Sequence, residues 1–176
     1  VSVSSAGDVN GDGYSDVIVG ADGYSSNTGR AYIYFGGATM NNTADVIMTG
    51  QTTFNHLGYS VSSAGDVNGD GFDDVIIGAP KNNAGGIFSG RAYIYFGGTV
   101  IDNSPDVILT GAATNNYFGT SVSSAGDVNN DGYDDVIVGA YGYNSFTGRA
   151  YIYFGGLSMN ITADVIMTGE FTGHYF

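Results

Sequence analysis

The chain has 176 residues, 43% hydrophobic and 14% aromatic, with no Cys and a formal charge of −13 from 17 acids against four Lys and Arg. Such a length and apolar content allow a sizeable core and exclude a disordered acidic tail. The shortage of Lys and Arg excludes binding to a nucleic-acid backbone, disulfide and thiol chemistry are closed to the chain, and neither a signal peptide nor an apolar run of membrane-spanning length is visible.

Taken in order, the first repeat predicts four strands. Residues 2–6, rich in Ser and Val, form the first. The stretch Asp8-Val-Asn-Gly-Asp-Gly-Tyr-Ser-Asp16 follows as a loop, and Asp16-Val-Ile-Val-Gly-Ala21 is the second strand. Residues 30–35 are the third: Ala31, Ile33 and Phe35 point one way and Tyr32 and Tyr34 the other, so both faces of the sheet are covered. Residues 45–49 are the fourth. The pattern recurs with Asp66 58 residues after Asp8 and Asp127 61 residues after Asp66. The difference lies in one connection, since Gly20 to Gly29 and Gly139 to Gly148 span nine positions but Gly78 to Gly90 spans twelve. An insertion of that kind marks a surface loop. The remaining strands are residues 58–64, 74–79, 91–96 and 106–110, then 119–125, 135–140, 149–154 and 164–168. Small four-stranded sheets covered on both faces and repeated along the chain predict an all-β fold of β-propeller blades. A parallel solenoid is the alternative, although its repeats are usually shorter.

One region, 1–176, thus holds three repeats at about 1–57, 58–118 and 119–176. Three blades do not close a propeller, which typically has four to eight. The end of the chain continues onto its start with one residue missing, so the rest is expected from a longer sequence or from a second copy joined head to tail.

The loops carry the chemistry. Asp8, Asn10, Asp12 and Asp16 recur as Asp66, Asn68, Asp70 and Asp74 and as Asp127, Asn129, Asp131 and Asp135. Side-chain oxygens at positions 1, 3 and 5 converge when the backbone coils, and Gly13, Gly71 and Gly132 permit the turn. The carbonyl at position 7 (Tyr14, Phe72, Tyr133) and the Asp at position 9 complete an all-oxygen shell. Such a shell suits Ca²⁺, which takes six to eight oxygens. A plain polar hairpin is the simpler reading, because Asn-Gly and Asp-Gly are common turn formers. It needs only two of these residues, whereas all three copies keep the set in register. An EF-hand is excluded by Val19, Ile77 and Val138 at position 12. Nine of the acids lie in the loops, and three bound Ca²⁺ would bring the charge to about −7.

Phe118-Gly119 before a strand, the acidic loop, and Ile77-Gly-Ala-Pro80 after it resemble the FG-GAP repeat of integrin α-subunit propellers, also found in secreted bacterial proteins and some fungal lectins. The resemblance covers essentially the whole chain. Leu57 departs from it in the middle copy, and Pro follows Gly-Ala only at Pro80. It implies Ca²⁺ in the hairpin between the first and second strands, an extracellular or cell-surface location, and binding at the opposite rim. That rim is residues 22–28, 80–89 and 141–147 with 51–56, 112–117 and 170–174. Tyr24, Phe88, Tyr141, Tyr143 and Phe146, with Phe54 and Phe171, are its aromatic candidates for contact with a protein or carbohydrate; the alternative is that they fold back over the core. His56 and His174 are ordinary rim residues. Arg30, Arg91 and Arg149 open the third strands, and their repetition favours a structural bond to an Asp or a carbonyl.

Three functions compete. The first is a non-catalytic Ca²⁺-binding module for interaction or adhesion. The second is a structural or self-associating unit of a larger secreted protein. The third, an enzyme, is disfavoured by the two unmatched His, the single Lys81 and the lack of a nucleophile elbow, since Gly58-Tyr-Ser-Val-Ser62 breaks that pattern.

Overall fold

In the computed structural model, which describes residues 1–176, the chain forms three four-stranded antiparallel sheets in an open arc. The first sheet runs β1 (Ser2–Gly7), β2 (Asp16–Ala21), β3 (Arg30–Tyr34) and β4 (Val46–Thr49) in chain order. Between β2 and β3 lies a single turn, α1 (Tyr24–Asn27), whose Ser25 and Ser26 take left-handed φ of 45° and 56°. The second sheet is β5 (Ser60–Gly65), β6 (Asp74–Ala79), β7 (Arg91–Tyr95) and β8 (Val107–Thr110). The third is β9 (Ser121–Gly126), β10 (Asp135–Ala140), α2 (Tyr143–Phe146), β11 (Arg149–Tyr153) and β12 (Val165–Thr168). The longer connection of the middle blade contains no such turn. The expected second strands match residue for residue. The first begin later in the second and third copies, at Ser60 and Ser121. The third and fourth strands are each shorter by one residue than expected.

The core lies between blades. One cluster joins Ile18, Ile33 and Met48 of the first blade to Val75, Ile77, Tyr93 and Tyr95 of the second. Its counterpart joins Ile76, Ile94 and Leu109 to Val136, Val138, Tyr151 and Tyr153. Alternation along a strand therefore sends odd and even residues into different interfaces. All of β6 is buried, because a blade lies on each side, whereas β2 alternates between buried and half-buried.

The first strands stand side by side. Ser2 Oγ accepts the Val61 N–H at 3.2 Å, and Ser60 Oγ accepts that of Val122 at 3.1 Å. Gly78 lies so close to the Gly119 carbonyl that a Cβ would come within 2.0 Å of its oxygen, so backbone meets backbone there.

Candidate metal centres and binding rim

Each acidic loop is coiled by its own side chains. The Asp8 carboxylate accepts N–H bonds from Asp12 at 3.0 Å and Gly13 at 2.8 Å, while Asn10 Oδ1 also accepts from Asp12 at 2.9 Å. Asp12 Oδ1 accepts from Tyr14 at 2.9 Å. The second loop repeats this with Asp66, Asn68 and Asp70 receiving Asp70, Gly71 and Phe72. The third does so with Asp127, Asn129 and Asp131 receiving Asp131, Gly132 and Tyr133. Oxygens of positions 1 and 3 thus meet at one N–H. The fourth position is left-handed in all three loops, Gly11 at φ 73°, Gly69 at φ 76° and Asn130 at φ 60°, and Asn is the non-glycine residue that tolerates this best.

The acid at position 9 is buried. Asp16 accepts the Val9 N–H at 2.9 Å and that of Gly36 at 2.7 Å, tying the loop to the end of the third strand. Asp74 does the same with Val67 and Gly97, and Asp135 with Val128 and Gly155. Burial pushes the Asp74 carboxyl up to about 7, against the lowering effect of its two N–H bonds, and Asp70 and Asp66 push it further. Burial likewise raises Asp16, with Asp12 and Asp8 adding to the effect. The one side-chain contact between a basic residue and an acid is His56 Nδ1 to Asp22 at 3.0 Å, on the rim, so no Lys or Arg neutralises the loop acids.

The donors are all oxygens, a set that fits a hard divalent cation. As they stand, no three acidic or histidine side chains gather closely enough to hold a metal ion between them. Each carboxylate oxygen that accepts one N–H still keeps a lone pair.

Two positions in the loops have a role the sequence did not reveal. Asp73, at position 8, accepts the Asp8 N–H of the preceding blade at 2.7 Å, and Asp134 accepts that of Asp66 at 3.0 Å. Return bonds run from Asp73 N to the Asp8 carbonyl at 3.2 Å and from Asp134 N to that of Asp66 at 3.1 Å. The ring of Phe72 lies against Gly11 and that of Tyr133 against Gly69. Adjoining loops therefore interlock. The only signal was Asp at position 8 in two copies against Ser15 in the first.

The second-to-third connections lie at the far end of β2, β6 and β10 from the acidic loops. Arg30 stacks over Tyr24 at 3.8 Å and Arg149 over Tyr143 at 3.6 Å. The repeated arginines bond no Asp, and only Arg91 meets a carbonyl oxygen, its Nη1 donating to Gln51 Oε1 at 3.4 Å. Their Nε groups donate to Thr49, Thr110 and Thr168 on the neighbouring fourth strand at 2.9, 3.2 and 2.9 Å, because the antiparallel register sets each Arg opposite a Thr. Phe88, Tyr141 and Phe146 join a run of rings with Tyr117 and Tyr175. Phe88–Tyr117 centroids are 5.6 Å apart, Tyr117–Tyr141 5.1 Å, Tyr141–Phe146 5.9 Å and Phe146–Tyr175 5.3 Å. Phe54 and Phe171 are exposed, and His56 bonds Asp22.

No helix of the chain is long and apolar enough to cross a membrane. Among known proteins, the chain is 35% identical over 169 residues to integrin alpha-5 of Xenopus laevis, covering 85% of this chain and 16% of that one. It is 33% identical over 147 residues to integrin alpha-IIb of Mus musculus, covering 77% and 14%, and 33% identical over 159 residues to integrin alpha-8 of Homo sapiens, covering 83% and 14%. The chain therefore spans a small part of the length of these relatives. The FG-GAP repeat family matches residues 1–34, 57–95 and 118–153, well over half of the chain and one stretch per blade. With three four-stranded blades, an acidic loop in each and this match, the chain belongs to the FG-GAP repeat family.

Proposed function

We propose that residues 1–176 form one propeller region that acts as a non-catalytic, calcium-stabilised interaction module of an extracellular or cell-surface protein, with a protein or carbohydrate partner meeting the rim opposite the metal loops. The observation that carries this reading is the un-neutralised acid triplet of each loop. Asp8, Asp12 and Asp16, and Asp66, Asp70 and Asp74, place carboxylates within Coulombic reach of one another, and no basic side chain is paired to these or to Asp127, Asp131 and Asp135. Bound Ca²⁺ supplies the positive charge that these groups lack. Asp8, Asn10, Asp12 and Asp16 would hold it together with the Tyr14 carbonyl, as would Asp66, Asn68, Asp70, Asp74 and Phe72, and Asp127, Asn129, Asp131, Asp135 and Tyr133. Similarity to integrin alpha subunits supports an adhesion-related role. Calcium titration by calorimetry, repeated after Asp70→Ala, tests the assignment: three sites should fall to two, and an unchanged stoichiometry would overturn it.

A second reading, a self-associating unit, is favoured by the open faces of the arc. Val3 is 67% exposed where its counterparts Val61 and Val122 are 5% exposed. Val165 and Ile166 of β12 are exposed as well. Those faces meet either further blades of a longer chain or a second copy.

A further inference from the structure

Between the rims of the second and third blades lies a cleft of about 640 Å³, walled by residues 113–117 and 142–146. We propose that this cleft is a binding site for a neutral oligosaccharide. The proposal rests on the reading of the rim as the binding face and names the class of ligand it takes.

The lining decides the class. It combines aromatic rings, Tyr117, Tyr143 and Phe146, with the amides of Asn115, Asn116 and Asn144, and contains no charged residue. A pyranose has apolar C–H faces and a girdle of hydroxyls that donate and accept. Tyr143 and Phe146 supply flat apolar contact, while Tyr117 is itself stacked between Phe88 and Tyr141, and the amides supply paired donors and acceptors, so this mixture matches a sugar and provides no counter-charge to a charged peptide or an anion. The nearest guanidinium, Arg149, is already stacked on Tyr143 and bonded to Thr168. A volume of this order holds a small ligand, whereas a protein surface would press on the rim as a whole.

The walls are fixed in advance. Asn115 N–H bonds the Ile87 carbonyl at 2.8 Å, Tyr117 N–H that of Phe88 at 3.0 Å, and Gly142 N–H that of Asn116 at 3.2 Å, so both blades hold the cleft open. Asn116, 4% exposed, lines the cleft. Asn115, Asn144, Ser145 and Phe146 take left-handed φ, and the last three repeat the turn of Ser25, Ser26 and Asn27 in the first blade, so the shape of this loop is set by the repeat before any ligand arrives. Such preorganisation reduces the ordering lost on binding. The corresponding cleft between the first and second blades is about 220 Å³, has no aromatic ring, and is lined by Arg91. The site is therefore single and belongs to this pair of blades.

The test is a panel of immobilised neutral and acidic oligosaccharides and charged peptides, probed with the calcium-loaded 176-residue chain and with Phe146→Ala and Asn144→Ala. Both variants alter exposed side chains, and melting curves verify their folding. Binding confined to neutral glycans and weakened about tenfold in each variant supports the proposal. No glycan bound, or glycan binding unaffected by either variant, overturns it. Charged peptides bound instead, and lost in the same variants, would keep the rim as the binding face and remove the sugar from it.

Discussion

Asp73 gives the sharpest test of how the blades hold together. By its position it is a loop acid like its neighbours, but in the structure it accepts the N–H of Asp8 from the preceding blade at 2.7 Å. Replacing it with Ala strands that part-buried N–H and removes a charged acceptor, a loss of about 1.5–3 kcal/mol. For a chain of this size each kcal/mol moves the melting temperature by about 2–4 °C, so Asp73→Ala should melt about 3–12 °C lower. Asp73→Asn keeps an acceptor oxygen without the charge and should lose about half as much. Scanning calorimetry in saturating calcium measures both. Calcium titration supplies the control: Asp73→Ala should leave the second loop's affinity intact, because its carboxylate is committed to the blade junction. Unchanged melting, or a loss of calcium affinity equal to that of Asp70→Ala, would refute the reasoning.

Other outcomes follow from the same geometry. Excess chelator should lower the melting temperature, since occupancy at 100 times the dissociation constant stabilises by about 2.7 kcal/mol, and identical melting curves would contradict calcium binding. Gly78→Ala drives a Cβ to 2.0 Å from the Gly119 oxygen and should cost about 1–3 kcal/mol or more, while Gly139→Ala, whose nearest neighbour is Ser121 at 3.4 Å, should melt almost as the parent does. If the rim binds the partner, Tyr143→Ser should weaken partner binding and leave calcium titration unaltered, because the two sites lie at opposite ends of β10.

The strands were legible because alternation of period two, with Gly punctuation, is a local signal, and the second strands Asp16–Ala21, Asp74–Ala79 and Asp135–Ala140 agree residue for residue. The acidic loops were legible as motifs of fixed spacing. What joins one blade to the next was not. The Asp73 and Asp134 bonds link residues 65 and 68 apart, and no period in the sequence marks such pairs. Burial was hidden for the same reason: β2 and β6 differ in sequence only at Val19 and Ile77, yet one is half open and the other closed, because position in the arc and not composition decides it. The Arg–Thr bonds needed the antiparallel register of the third and fourth strands, which strand prediction alone leaves unset. The run of rings from Phe88 to Tyr175 depends on loops from two blades meeting in space.

The open faces lead to one more prediction, concerning self-association of the 176-residue chain. On the first blade, Val3, Val17, Val19, Tyr32 and Tyr34 stay exposed or half-buried, and on the third the open residues are Ile137, Ile152, Val165 and Met167. Their counterparts are the two halves of each internal core: Ile18, Ile33 and Met48 meet Val75, Ile77, Tyr93 and Tyr95 in the first, and Ile76, Ile94 and Leu109 meet Val136, Val138, Tyr151 and Tyr153 in the second. One face therefore carries the same kind of surface that the other is built to receive, and exposed apolar patches of this kind drive association. Two copies joined at both junctions would close as a six-bladed ring, within the usual range, whereas a joint that failed to close would propagate as a fibre. Val3→Asp separates folding from association. In a single chain Val3 is 67% exposed and the change is mild; in a junction it would place an unpaired carboxylate where Val61 and Val122 are 5% exposed. Sedimentation at micromolar concentration should then give a dimer for the parent chain and a folded monomer for Val3→Asp. A parent chain that sediments as a folded monomer would refute association between copies through these faces.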